Sequence, residues 1–194
     1  MRSIKHNNIF ALSSTFGQSA IAIFRISGNE TDKIAKLLTN LKKINNRYAH
    51  YTKIYDLNKK VIDKCVILFF KGPNSFTGED LLEIHSHGSI AVINKISDTL
   101  SKIPNTREAD PGEFSKRAFQ NGKANLLFFE GINNLIKSET ENQLKFANQQ
   151  VYGGQGENCK FGRSGYGGQI FSGGRRRADQ SAVQGTDRDP GPRV

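Results

Sequence analysis

The feature that most constrains this chain is a change of composition near residue 150. Lys, Asn and Ile make up 49 of the first 150 residues but only 3 of the last 44, where Gly alone supplies 11. A packed core needs large apolar side chains to offset the entropy of ordering a chain, and glycine makes that entropy larger. The fold is therefore expected in the first 150 residues, and the Gly/Arg-rich residues 151–194 are expected to be disordered. Lys, Asn and Ile have A/T-rich codons, whereas Gly, Arg, Ala and Pro have G/C-rich ones. Three readings of the tail stay open. It is out-of-frame or foreign sequence joined to a truncated gene. Or it is an RGG-like arm, with Phe161-Gly-Arg-Ser-Gly-Tyr-Gly-Gly168 and Gly173-Gly-Arg-Arg-Arg177 gripping single-stranded nucleic acid. Or it is a flexible linker.

The body reads as α+β. Asn8–Ser13 and Ala20–Ser27 are short apolar strands around a Ser-Thr-Phe-Gly-Gln loop, and AIAIFRI has the β-branched and aromatic content of a buried strand. A helix begins at Ser27-Gly-Asn-Glu30, with Ile34, Leu37, Leu38 and Leu41 at i, i+3, i+4 and i+7. Tyr51–Leu57 and Val61–Phe70 flank a hairpin turn at Asn58-Lys59-Lys60. Leu81–His85 is a further strand, and Ile90, Ile93, Ile96 and Leu100 mark a helix that stops before Pro104. Pro111 precedes a helix with Phe114, Ala118 and Phe119 on one face. Leu126–Ile136 and Glu139–Ala147 are helical again. Ending there, they are expected to expose an apolar face that includes Leu127, Phe128, Leu135 and Ile136.

Between the fourth strand and the fifth lies Lys71-Gly-Pro-Asn-Ser-Phe-Thr-Gly-Glu-Asp80, feeding directly into Leu-Leu-Glu-Ile-His85. Pro73 fixes one φ, while Gly72 and Gly78 permit shapes that other residues resist. A turn-rich polar loop carried by a strand is a common place for a binding site, and equally an ordinary surface loop.

Three charged residues stand out. Arg25 interrupts an apolar strand; losing its water unpaired costs several kcal/mol, so it either snorkels out or meets an anion. Glu83 alternates with Leu82 and Ile84 and points away from their face, either to solvent or to a forked donor that a carboxylate fits. Lys123, in Asn-Gly-Lys between two helices, reads by itself as a surface lysine. His85 and His87 share a strand face, but no further Cys or His completes a metal site, so no metal is expected. Cys65 sits in an apolar strand as a small hydrophobe, far from Cys159, which fits a reducing cytosol rather than a disulfide framework.

Net charge is +10, of which +7 lies in residues 1–150 and +3 in the tail. A basic surface suits RNA or an anionic small molecule, although scattered lysines also make a plain solvated surface. There is no apolar run of the roughly 18 residues that span a membrane, and no secretory h-region at the start.

Four ordered segments carry a resemblance: Ala20-Ile-Ala-Ile-Phe-Arg-Ile-Ser-Gly28, Lys71–Gly88, Pro111-Gly-Glu-Phe-Ser-Lys-Arg-Ala-Phe119 and Asn121-Gly-Lys123. From about Asn8 to Gln150 the chain resembles the N-terminal part of the MnmE (TrmE) family of tRNA-modification GTPases. The resemblance implies a small mixed sheet with flanking helices, similar to folate-binding aminomethyltransferase domains. Residues 1–121 are then a tetrahydrofolate-binding and dimerisation domain, 122–150 the first helices of a central helical domain, and 151–194 unrelated. It implies that Arg25, Glu83 and Lys123 bind a tetrahydrofolate derivative, in its 5-formyl or 5,10-methylene form. A pterin offers the forked donor edge that would meet Glu83, and the glutamate tail offers carboxylates for a cation. The implied partners are a second copy in a homodimer, an MnmG-like flavoprotein and tRNA, in the cytoplasm and without a membrane.

The family's GTPase domain, which binds GTP, Mg and K, does not follow. No G-x-x-x-x-G-K-[ST] occurs; Gly168-Gln-Ile-Phe-Ser-Gly173 has the glycine spacing but continues Gly174-Arg175. The C-terminal catalytic cysteine motif is also absent. No catalytic residue is assigned, and whether this chain is an enzyme is left open. The rival readings are a free-standing folate-dependent one-carbon transferase and an RNA-binding protein that uses the Gly/Arg tail.

Overall fold

The computed structural model describes residues 8–153. Its elements are β1 (Asn8–Leu12), β2 (Ser19–Ser27), α1 (Thr31–Thr39), β3 (His50–Tyr55), β4 (Val61–Phe70), β5 (Leu81–Gly88), α2 (Ile90–Ser101), β6 (Thr106–Glu108), α3 (Glu113–Gln120), α4 (Leu126–Ile136) and α5 (Glu141–Tyr152). The strands form one sheet in the order β3-β4-β5-β2-β1-β6. Neighbours run antiparallel except β1 and β6, which are parallel. A mixed sheet with helices against it is the α+β fold that the pattern predicts.

Strand alternation decides which face is covered. Ala22, Phe24 and Ile26 of β2 and Leu82 and Ile84 of β5 point into one core with Ile34, Ala35 and Leu38 of α1 and Ile93, Ile96 and Leu100 of α2. Burying each large aliphatic chain there contributes about 1.5–3 kcal/mol. Cys65 is buried in the same core, and burial together with the Asp63 charge pushes its thiol up to about 12. The intervening residues, Arg25 and Glu83 among them, fall on the opposite face.

The entry to α1 is tied to two distant segments. Asn8 is buried, and its Oδ1 accepts the Glu30 N–H at 3.0 Å. Gly28 sits at φ +146°, and a Cβ there would collide with the Asn8 side chain. Thr31 Oγ1 donates to the Gly28 carbonyl at 2.7 Å and lies 3.2 Å from that of Asp80. The β3–β4 turn is closed by Asp56, whose Oδ1 accepts the N–H groups of Asn58 and Lys60, both at 2.9 Å.

Several sequence expectations need correction. Helix α1 ends at Thr39 because Asn40 turns left-handed at φ 59°; Leu41 packs from beyond the helix, and Leu37 is exposed. Strand β5 continues through His87 and Gly88, which the sequence placed after it. β6 has only three residues and no apolar run, so periodicity gave no sign of it. In α3, Ala118 is buried but Phe119 is exposed, since the inward place is taken by Arg117. In α4, Phe128 is not on an exposed face: it packs with Ala124 and Val151, while Ile136 is exposed as expected. A Cβ on Gly131 would lie 2.8 Å from Val151 Cγ2, so the two last helices meet closely at that glycine. Val151 lies past the composition break yet is buried, so packing continues through α5. The rest of the tail, 154–194, lies outside the described residues.

Candidate functional site

The loop from Lys71 to Asp80 is built by its own polar groups. Asp80 Oδ1 accepts the Gly72 N–H at 2.9 Å, and Oδ2 pairs with Lys71 Nζ at 2.7 Å. That pairing raises the pKa of Lys71. Ser75 Oγ donates to the Glu79 carbonyl, and the Glu79 N–H reaches Thr77 Oγ1 at 3.3 Å. Pro73 follows a cis peptide bond. Gly78 takes φ +79°, and a Cβ there would stand 3.0 Å from Asn121 Cβ and 3.2 Å from Lys123 Cγ. Only glycine suits both the conformation and the approach of the 121–123 turn.

Arg25 and Glu83 are direct cross-strand partners on β2 and β5, with Arg25 Nε donating to Glu83 Oε1 at 2.8 Å. Arg25 meets an anion, and Glu83 does not face solvent: its side chain is 7% exposed against 37% for Arg25. A buried carboxylate without a cation would cost several kcal/mol. The guanidinium offers five N–H donors, and the Glu83 contact uses Nε alone. Among the described residues, the two terminal amino groups of Arg25 make no hydrogen bond. Glu83 Oε2 also lies 3.2 Å from His85 Nε2. One strand step on, His87 donates its backbone N–H to Asp63 Oδ2 at 2.8 Å, and its Nδ1 lies 2.9 Å from Asp63 Oδ1. Burial would raise the Asp63 carboxyl, but the His87 backbone and ring and the Lys64 N–H hold it below its ordinary value. The histidines pair with carboxylates, and among the described residues no cluster of three or more His, Cys, Asp or Glu is placed to hold a metal.

Lys123 is brought to the loop rather than to the pair. Its Nζ donates to the Pro73 carbonyl at 2.8 Å, while Asn121 Nδ2 donates to the Thr77 carbonyl at 2.7 Å. The loop returns to the pair through Ser27, two residues along β2 from Arg25. Ser27 Oγ meets Thr77 Oγ1 at 2.7 Å and donates to Glu79 Oε2 at 2.8 Å.

Sequence reasoning missed the charged network behind the loop. Arg117 Nη1 reaches Glu79 Oε2 at 3.0 Å, with side chains 12% and 9% exposed. Arg117 Nη2 reaches Glu113 Oε1 at 3.0 Å, and Arg107 Nη2 reaches the same oxygen at 2.7 Å. Burial would raise the Glu113 carboxyl, but both arginines and the Asp110 N–H together bring it down to about 2. The Glu113–Arg117 spacing of i, i+4 was readable as a helical pair. Its link to Glu79, 38 residues away, was not.

Residues 8–123 match the family model described as the GTP-binding protein TrmE N-terminus. The chain belongs to that family. It is 54% identical over 136 residues to the tRNA modification GTPase MnmE of Pelagibacter ubique, a match covering 70% of this chain and 31% of that protein. It is 49% identical over 148 residues to the MnmE of a Wolbachia from Culex pipiens, covering 76% and 33%. With the MnmE of Rickettsia bellii it shares 44% over 146 residues, covering 75% and 33%. The chain thus spans about a third of the length of these relatives. The TrmE N-terminal match ends at Lys123, where the turn under the loop gives way to α4. Phe76 of the loop touches Phe129 of α4 edge-on, ring centres 6.3 Å apart, so the loop also meets the helices beyond the matched domain.

Proposed function

We propose that this chain is the tetrahydrofolate-binding module of an MnmE-like tRNA modification protein. The observation that carries the reading is the Arg25–Glu83 pair: a buried carboxylate and a half-exposed guanidinium set side by side on the sheet face away from α1 and α2. Those residues fit a folate. Glu83 sets a carboxylate beside Arg25, and a carboxylate matches the forked donor edge of a pterin. Arg25 meets Glu83 through Nε, and its guanidinium has two further amino groups of the kind that suit a carboxylate. Lys123 adds a second cation at the loop, suited to the acidic tail of the ligand. When bound, the folate would supply the one-carbon unit for C5 of a tRNA wobble uridine; the protein's part is to bind and orient it.

In this reading the module pairs with a second copy and works with an MnmG-like flavoprotein and tRNA in the cytoplasm. The relatives' name, tRNA modification GTPase, supports the tRNA part of that reading. Among the described residues no helix is long and apolar enough to cross a membrane.

The test is calorimetric titration with 5-formyltetrahydrofolate. Glu83→Ala is expected to weaken binding by about 1.5–3 kcal/mol, the range for a hydrogen bond to a charged group. Unchanged affinity in that variant, or no binding by the wild type, overturns the reading.

A further inference from the structure

One group beside the Arg25–Glu83 pair has no part in the reading above. His85 lies on β5 two residues from Glu83, so both side chains leave the same face of the sheet. Its backbone is fixed between Ile84 and Ser86, each 1% exposed, and it faces Ile23 on β2 and Val66 on β4. The ring is held as well: its side chain is 27% exposed, and Nε2 stands 3.2 Å from Glu83 Oε2.

We propose that His85 is a positioning residue for Glu83, fixing the plane of the carboxylate that receives the ligand. The inference rests on the folate reading of Glu83 and adds to it how that acceptor is aimed. The last torsion of a glutamate is soft and roughly two-fold, so one hydrogen bond leaves the carboxylate able to pivot. Here the oxygens are held from two sides, Oε1 by Arg25 at 2.8 Å and Oε2 by His85 at 3.2 Å. A forked donor edge needs both oxygens in its own plane. Losing the His85 contact removes one of these holds, loosens the plane and weakens that match without removing a charge from Glu83.

The geometry also fixes a tautomer. An ionised carboxylate only accepts, so the proton of a neutral His85 sits on Nε2. His87 is the internal contrast: its Nδ1 faces Asp63, so its proton sits on Nδ1. Neighbouring histidines on one strand face thus carry opposite tautomers, each set by its own carboxylate.

The test uses the full chain with two readouts. In calorimetry with 5-formyltetrahydrofolate, His85→Ala is expected to bind about tenfold more weakly than wild type, as for one lost hydrogen bond to a charged group. His85→Gln keeps an N–H donor and is expected to stay within about threefold of wild type. In ¹⁵N NMR at about pH 8.5, where an ordinary imidazole is neutral, His85 is expected as the Nε2–H tautomer and His87 as Nδ1–H. Glu83→Ala should abolish the preference at His85 and leave His87 unchanged. The proposal is overturned if His85→Ala binds like wild type while Glu83→Ala does not, or if His85→Gln is as weak as His85→Ala. An Nδ1–H tautomer at His85 overturns it whatever the binding result. Failure of the wild type to bind folate instead removes the folate reading, and the tautomer then decides alone whether His85 donates to Glu83.

Discussion

Arg117→Ala tests whether the signature loop is held by charge. Arg117 is the only described side chain that bridges Glu79 of the loop and Glu113 of α3, at 3.0 Å to each. Removing one member of a buried ion pair costs about 3–5 kcal/mol, because the other charge is left desolvated. Two observations place this case at the low end. Glu79 keeps the Ser27 hydroxyl at 2.8 Å, and Glu113 keeps Arg107 at 2.7 Å. The expected loss is therefore about 3 kcal/mol, or roughly 6–12 °C in Tm for a domain of this size. Urea melts followed by circular dichroism measure the first quantity and thermal melts the second. Arg117→Lys keeps the charge but not the two-pronged fork, and should fall between the variants. Hydrogen exchange adds the location: protection should drop first in the 72–80 loop and the 121–123 turn. A loss under about 1 kcal/mol would put the network in the class of screened surface pairs and refute the reasoning.

Two further outcomes follow from the same chemistry. The folded Glu113 carboxyl titrates at about 2, below its ordinary 4.5, so its stabilisation is complete above 4.5 and is lost as pH falls from 4.5 towards 2. That loss is bounded by about 3 kcal/mol, and Glu113→Gln should be less stable than wild type at pH 7 but show a shallower acid slope in urea melts. Without a phosphate-cradling glycine loop followed by Lys and Ser or Thr, the chain is expected to show no saturable binding of a labelled GTP analogue at micromolar concentration.

The fold was legible where one physical signal dominated. The β-branched and aromatic content of Ala20–Ser27 marks β2 as a buried strand, and the helical pattern from Leu126 gives α4 to the residue. It failed where a polar side chain overrode the pattern. Helix α1 was read to Leu41 because periodicity continues, but Asn40 accepts a left-handed turn and ends it. The spacing puts Phe119 on one face with Phe114 and Ala118, yet Phe119 is exposed while Arg117 is largely buried against two carboxylates. The site was legible in part. The misfit of Arg25 and Glu83 in apolar strands marked both residues, and their pairing follows from β2 lying beside β5, which only the topology reveals. His85 reads in the sequence only as half of an incomplete metal pair, whereas in the structure its Nε2 lies 3.2 Å from Glu83 Oε2.

The arrangement separates the residues proposed to touch a ligand from those that place them. Arg25 and Glu83 stand on adjacent strands, where the backbone ladder fixes their separation. Lys123 stands on a turn, which has no ladder, and its position is set instead through the loop. Asn121 holds the Thr77 carbonyl, Gly78 lets the turn approach, and Thr77 and Glu79 reach Ser27 on β2. The Lys123 end of the site is therefore registered to the Arg25 end through uncharged and ion-paired groups that carry no ligand contact in this reading. A displacement of about 1 Å is enough to spoil a positioned charge. In the proposed reading, the loop's glycines, hydroxyls and buried ion pair therefore place the Lys123 charge relative to Arg25 and Glu83.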